Sequence, residues 1–478
     1  MHSGSGDSVR LRSGSHIAII GGGPAGSFFA LYALHYAHQA GLDLHVTIFE
    51  PRDFAQAGPW GCNMCAGLIP LRVLRELTEV GLLIPERVVR QRISHYTLHT
   101  AAGRICLPQP DPDGDVISVY RGGGPRCASP WPQPISFDGY LIGAARDRGA
   151  RVVPERVVAV GLRPRPYVET RQAVYAADLV VLAAGVNRRA IDFHDLCYQP
   201  PPRQQMAQTE ICLGTEGVQR ALGESVHIFL PRDGSLRFGT LVPKGPCFNV
   251  SLLGDRLPQG TIARFLALPE VAELLPEGVV RACGCRPRIA VGPARPLFAD
   301  RFVAVGDAGI TRLYKNGIGS ALRTARQAAY TAIFHGIAAK DFAAGYGPLC
   351  RQIAWDNRAG RFLFAFTRVF QHHQWLTLPH LRSIASEQAL PPGERFHSRL
   401  LWGMFTGTYS YRGLLAMACY PKLHTSLLRH FLDSLARGET FRHAGASVSL
   451  IAPRRGSGIV RGQIHGYPRE QPPSVVDK

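Results

Sequence analysis

The hydrophobic pattern changes character along the chain. Ile17-Ala18-Ile19-Ile20 is an unbroken apolar run, as expected of a parallel strand buried on both faces. An alanine-rich apolar segment follows to about Ala40 and predicts a helix. Residues 44–50, LHVTIFE, alternate like a strand and end on Glu50. Residues 135–161 read as a helix then a strand, and 177–189 as a buried strand closing in a glycine turn. A further apolar strand begins at Phe302, and an alanine-rich helix runs on through about residue 338. Residues 205–297 differ. They carry the strand-like runs QTEICL, SVHIFL, LRFGTLV and CFNVSLL, punctuated by turns such as Arg232-Asp233-Gly234. The pattern predicts an α/β chain in five parts: a disordered lead over 1–15, one lobe from 16–204 and 298–345, an antiparallel-sheet lobe over 205–297, a helical region over 346–445, and a disordered tail over 446–478.

The strand ends carry candidate chemistry. The first strand runs into Gly21-Gly22-Gly23-Pro24-Ala25-Gly26-Ser27, a G-x-G-x-x-G fingerprint that opens the first helix. Gly21 permits the tight turn, Gly23 lets backbone approach a pyrophosphate, and Gly26 lets helix and strand pack closely. The helix start offers free N–H groups and a partial positive charge. Glu50 follows at the spacing of the acid that accepts from a ribose 2′-hydroxyl, and it would repel a 2′-phosphate. A second strand end, Gly306-Asp307, leads through a loop into Gly317-Ile318-Gly319 at the start of the last alanine-rich helix.

These two ends together match the pattern of FAD enzymes with the glutathione-reductase-type fold. Over about residues 16–370 the chain resembles the p-hydroxybenzoate hydroxylase-like flavoproteins, and most of all their geranylgeranyl reductase branch. Cys65-Ala66-Gly67-Leu68-Ile69-Pro70 stands where that branch has C-G-G-x-I-P. Arg121 is followed by Phe137-Asp138-Gly139-Tyr140-Leu141, where the branch has an arginine and F-D-x-x-L. Phe238 to Gly245 is an aromatic strand ending in P-K-G.

The resemblance implies a Rossmann-like FAD-binding lobe, an inserted antiparallel-sheet substrate lobe and a C-terminal helical tail. It puts Gly21, Gly23, Pro24, Ala25, Gly26 and Ser27 at the pyrophosphate, Glu50 and Pro51 at the adenosine ribose, and the Val157 backbone at the adenine. It puts Gly306 and Asp307 at the ribityl chain, and Gly317, Ile318 and Gly319 at the isoalloxazine. Ala66 and Gly67 fall on its substrate side, with Arg121 and Gly185 also at the cofactor. Three features depart from the pattern. Some 15 residues separate Arg121 from Phe137, Ala184-Gly185 replaces the Asp-Gly of the aromatic hydroxylases, and Phe238 and Leu241 replace a tyrosine and an aromatic.

Composition narrows the partners. Of 478 residues 46% are hydrophobic, yet no apolar run is long enough to span a bilayer. The lead lacks the apolar core of a signal peptide. Eleven irregularly spaced cysteines are then expected to be reduced thiols in a cytoplasmic setting. The net charge of +19 favours anionic partners, and no nucleic-acid-binding signature accompanies it. Residues 351–478 hold 17 Lys and Arg against 7 Asp and Glu, interleaved with the aromatic stretches 361–376 and 400–420. Such segments suit a helical cap on the protein or the anionic inner surface of a membrane, touched peripherally.

The expected activity is FAD-dependent reduction of a C=C bond in an isoprenoid or other lipid-like substrate. A flavin monooxygenase is the alternative, although no W-x-W-x-I-P halogenase motif is present. A non-catalytic, FAD-stabilised protein at a membrane surface is the third reading. No second G-x-G-x-x-G follows a strand, so electrons would come from transiently bound NAD(P)H or a ferredoxin-like protein. Cys62 and Cys65 frame a C-x-x-C whose role stays open: a metal site with Cys283 and Cys285, a redox pair of Cys65 with Cys62 or Cys285, a solitary catalytic Cys65 beside the flavin, or inert small residues. No metal ligand set is assigned.

Overall fold

The computed structural model describes residues 9–62, 65–110, 116–125, 136–187, 190–232, 236–437 and 449–450. Of the ends expected to be disordered, 1–15 and 446–478, residues 1–8, 446–448 and 451–478 lie outside them, as does the turn at Asp233-Gly234. A parallel sheet is the frame. Its parallel strands are β1 (His16–Ile20), β2 (His45–Phe49), β3 (Arg151–Val153), β4 (Leu179–Leu182) and β5 (Phe302–Ala304), in spatial order β5-β4-β1-β2-β3, and Phe298–Ala299 adds an antiparallel edge beside β5. In register, Ile17 faces Leu179 on one side and Val46 on the other. Helices α1 (Pro24–Gln39), α2 (Phe137–Asp147) and α3 (Gly317–Tyr330) cover one face, burying Phe28, Leu31, Phe137 and Leu322 against Ile17 and Ile19. The other face packs Ala18, Ile20 and Leu182 against Val160 and Val168 of a smaller sheet. Burial on both faces explains why β1 and β4 carry no alternation. The strand order reverses between β1 and β4, and a crevice opens at their carboxyl ends.

The second sheet corrects the expected boundaries. Arg203–Cys212, Cys247–Gly254, Leu236–Lys244 and Ser225–Leu230 follow one another in it. Ser225–Leu230 then pairs in parallel with His95–Thr100, setting Tyr96 opposite Val226. The sheet thus draws on a hairpin, 95–108, that sequence pattern had assigned to the other lobe. Parallel pairing between distant segments leaves no local mark in a sequence. The pairing Cys212↔Cys247 brings two thiols together as a disulfide, their Cα atoms 3.9 Å apart, so the eleven cysteines are not all reduced thiols.

The chain ends are also more ordered than the pattern suggested. Leu11 is buried in the first core, and the Val9 carbonyl accepts from the Ile337 N–H. Ser449–Leu450 pairs with Arg104–Ile105 at the far edge of the second sheet. The helical region comprises α4 (Gly347–His372), α5 (Gln374–Glu387), α6 (Phe396–Thr406), α7 (Tyr411–Ala418) and α8 (Pro421–Ala436). The stretch 400–420, expected to suit either a helical cap or a membrane surface, is largely packed on the protein. Trp402, Tyr411 and Leu414 are buried with Tyr96 and Phe238 under the second sheet. No described helix is long and apolar enough to cross a membrane.

Candidate active site

A cavity of about 350 Å³ begins at the carboxyl ends of β1 and β4 and ends between the second sheet and α6. At its first end small residues of the turns after β1 and β4 bring backbone to the wall. Gly21 sits at φ +103, and a Cβ there would lie 2.8 Å from the Ala183 carbonyl oxygen. Gly21, Gly23, Pro24 and Ala25 line the cavity, while α1 starts at Pro24 with Gly23 as its cap. Gly26 and Ser27 do not line it and serve as scaffold. A Cβ on Gly26 would meet the Gly21 carbonyl oxygen at 1.9 Å, and Ser27 Oγ donates to the Gly22 carbonyl at 2.9 Å.

Glu50, Pro51, Val157 and Gly185 line the same end. Glu50 also holds the turn: Oε2 accepts from the Gly22 N–H and Oε1 from the Arg52 N–H, at 2.9 and 3.0 Å. Burial pushes its carboxyl above the ordinary value, and those two N–H groups pull it back. Each oxygen keeps a second lone pair for a hydroxyl donor.

Asp307, Gly317 and Ile318 line the middle. Burial raises the Asp307 carboxyl, opposed by the Thr311 hydroxyl and the Arg121 guanidinium. Gly306 and Gly319 shape this wall without lining it. Gly306, at φ +58, packs so closely on Ala25 that a Cβ would lie 2.6 Å from it. The Gly319 N–H donates to Asn316 Oδ1 at 3.0 Å, which caps α3 and leaves its first N–H groups at the cavity.

Cys65, Ala66 and Gly67 form one flank, and two buried pairs fix them there. Arg121 binds Asp138 in a bidentate fork, Nε to Oδ1 at 2.9 Å and Nη2 to Oδ2 at 2.8 Å. Burial opposes the Arg121 charge, but Asp138 outweighs it, with the Cys65 sulfur adding, and its pKa is raised. The F-D pair of the motif is therefore the anchor of Arg121, despite the long insertion. Of that insertion, Gly122 and Gly123 tuck against the 55–62 loop, and residues 126–135 lie outside the described ones. The second pair explains P-K-G. Lys244 Nζ donates to the Cys65 carbonyl at 3.3 Å and to Glu210 Oε1 at 3.2 Å, with Lys244 only 1% exposed. Gly67 sits at φ +72, where a Cβ would meet the Val119 carbonyl at 2.0 Å.

The four cysteines of the C-x-x-C question divide. Cys65 lines the cavity, its Sγ accepting from the Gly67 N–H at 3.3 Å. Cys283 and Cys285 do not line it. Burial pushes the Cys285 thiol up to about 12, with Cys62 and Cys283 adding to the rise. Among the described residues no group of three or more His, Cys, Asp or Glu is arranged to hold a metal ion.

The far end of the cavity held the residues that sequence reasoning missed. Tyr96, Met206, Gln208, Thr240, Ser251, Arg288, Ile289, Tyr314, Lys315 and Phe405 arrive from strands and helices far apart in the chain. Phe238 was named only as a strand position. Lys315 stands two residues before Gly317 and could have been found by its nearness to the G-x-G turn.

No family model matches the chain, and no curated protein matches it by sequence. Solved structures do. A flavoprotein/dehydrogenase from Cytophaga hutchinsonii superposes with a TM-score of 0.56 at 14% identity, covering 88% of this chain and 98% of that one. A variant of the halogenase PltM in complex with FAD gives 0.55 at 12%, covering 89% and 92%. The p-nitrophenol 4-monooxygenase PnpA from Pseudomonas putida DLL-E4 gives 0.52 at 14%, covering 83% and 98%. At such identities the likeness is one of fold alone. The geranylgeranyl reductase branch rests on the sequence motifs alone.

Proposed function

We propose that the chain is an FAD-dependent oxidoreductase acting on an apolar substrate. The observation that carries this reading is one cavity joining a main-chain phosphate cradle to an aromatic, aliphatic sheet surface. The residues present fit FAD: space that a Cβ would fill at Gly21, acceptors at Glu50 and Asp307, and capped α3 N–H groups at Gly317 and Ile318. When bound, FAD supplies two-electron chemistry, hydride delivery to a C=C bond in the first reading or use of dioxygen in the second. The chain's own part is to orient and enclose. Tyr96, Met206, Phe238 and Phe405 hold an apolar body and exclude water, while Cys65 beside Arg121 is the proposed proton-handling or tuning group.

Reduction of an isoprenoid or similar lipid-like substrate is supported by the C-A-G-L-I-P and P-K-G motifs. The monooxygenase reading is supported by the fold likeness to p-nitrophenol 4-monooxygenase. Purified protein should show oxidised-flavin absorbance. After anaerobic reduction, polyprenyl substrates restore that absorbance if the first reading holds. Failure of every one of them, with hydroxylated product formed from an aromatic substrate in oxygen, selects the second.

Electrons are supplied by transiently bound NAD(P)H or by a ferredoxin-like protein. Docking on an anionic membrane belongs to the same proposal. Trp355, Phe362, Phe366 and Val369 form an exposed stripe along α4, with the Arg358 guanidinium 4.4 Å from the Trp355 ring centroid. Co-sedimentation with anionic but not neutral vesicles tests it.

A further inference from the structure

Among the described residues, six cations line the cavity, Arg52, Arg121, Arg156, Arg288, Arg312 and Lys315, against two carboxylates, Glu50 and Asp307. Five of the six have an outlet for their charge. Arg121 is bound to Asp138. Arg312 donates to the carbonyls of Gly407 and Tyr409 and lies 4.1 Å from the Tyr411 ring centroid. Arg52 reaches the Cys62 carbonyl at 3.5 Å, and Arg156 and Arg288 are exposed.

Lys315 is the exception. It is half-buried at the cavity wall and makes no side-chain hydrogen bond or ion pair to any described residue. Its Nζ lies 4.3 Å from the centroid of the Phe238 ring. Burial lowers its pKa to about 8. The backbone fixes where it points. Tyr314 and Asn316 on either side sit at φ +62 and +54, a left-handed region that non-glycine residues seldom adopt. Asn316 is held there by its cap on α3, and Tyr314 by a hydrogen bond from its hydroxyl to Gln204 Oε1 at 2.9 Å.

A half-buried ammonium whose nearest described partner is the face of an aromatic ring has no anionic partner, and such a site gains when a ligand supplies the counter-charge. We propose that Lys315 is the counter-cation for an acidic head on the substrate. The substrate class is then an apolar organic anion, a carboxylate or a phosphate ester, whose body lies along Tyr96, Met206, Phe238 and Phe405. This deepens the oxidoreductase reading and rests on it only in treating the sheet end as the substrate end. Lys315 here is a specificity-determining residue, and no bond to it is made or broken.

Calorimetric titration of the flavin-loaded full chain with octanoate, octyl phosphate, octanol and inorganic phosphate tests the inference. At least one of the two anionic chains should bind roughly tenfold or more tighter than octanol, as a charge-assisted hydrogen bond provides. The tighter of the two identifies the head. Lys315→Met should erase the preference while octanol still binds, and Lys315→Arg should keep it. Melting curves of both variants confirm that they fold. Equal binding of octanol and both anions, no binding of any chain compound, or a preference that survives Lys315→Met overturns the proposal. Inorganic phosphate binding as tightly as octyl phosphate overturns the apolar-body half. Protein that carries no flavin overturns the oxidoreductase reading instead, and the absorbance of each sample separates the two failures.

Discussion

The two ends of the cavity are built by different means. The β1–β4 end is built around two short contiguous turns, Gly21, Gly23 and Pro24 after β1 and Ala183 to Gly185 after β4, where small residues bring backbone to the wall. The sheet end is made from side chains brought together by pairing of distant strands, such as Tyr96 beside Val226. The first end should fail by backbone collision and the second by loss of particular partners. Gly26→Ala is the strongest test of the first. Its Cβ would lie 1.9 Å from the Gly21 carbonyl oxygen, a contact relieved only by moving β1 away from α1. A loss above about 3 kcal/mol is expected, with bound flavin lost as well. Thermal melting and flavin content measure both, and wild-type values in both would break the contrast.

Lys244→Met tests the second mode. It removes the donor to the Cys65 carbonyl and strands Glu210, whose Oε1 otherwise accepts from Lys244 and, at 3.0 Å, from Asn249 Nδ2. Breaking a buried pair from one side costs about 3 kcal/mol. The companion Lys244→Met/Glu210→Gln protein should recover much of that loss, since no unpaired charge remains. Urea midpoints of the two proteins sharpen the comparison. Equal destabilisation in both would mean that loop packing rather than charge holds Cys65 to Gly67.

The same difference decides what the sequence could show. Gly21, Glu50, Asp307 and Gly317 were legible because each lies at the end of its own strand or helix, where local pattern fixes both the element and the chemistry. Arg121 was legible as a motif, but its partner Asp138 acquired a role only when α2 set the fork in place. Tyr96 and Trp402 gave no local sign at all. They meet edge-on at 4.9 Å between centroids because α6 packs on a hairpin some three hundred positions earlier. The Cys212–Cys247 bond was hidden for the same reason, since only the strand register sets them opposite each other. The aromatic stretches 361–376 and 400–420 looked alike in composition, yet packing exposes Phe362 and Phe366 and buries Trp402.

A smaller effect follows from Lys315. The titratable and charged groups that share its loop or the cavity wall are Arg312, Tyr314, Tyr96, Arg288 and Asp307, with Arg237 on the Tyr314 ring. Below about pH 8 the empty site carries the ammonium, and above it the neutral amine. A bound anion favours the ammonium and raises that pKa, so binding takes up protons in this window and weakens as pH rises through it. Octanoate affinity should fall by up to about tenfold per pH unit between about pH 8 and the raised pKa of the complex, and level off beyond it. Lys315→Met should remove that limb, and an identical slope in the variant would assign the titration elsewhere.

The smallest structural effect is expected at Cys65, where the two modes of construction meet. Lys244 grips its carbonyl, which substitution does not change, and a serine Oγ can accept from the Gly67 N–H as the sulfur does at 3.3 Å. Cys65→Ser should therefore leave melting within about 0.5 kcal/mol of wild type and flavin content unchanged. If the thiol beside Arg121 has the proton-handling or tuning role proposed for it, the effect should lie in turnover, a fall of about threefold to tenfold with KM held. Stopped-flow reduction and reoxidation separate the half-reactions. If both proceed at wild-type rates, the loop contributes through its backbone alone, and the sheet-side flank of the cavity is built on the same main-chain principle as the phosphate end.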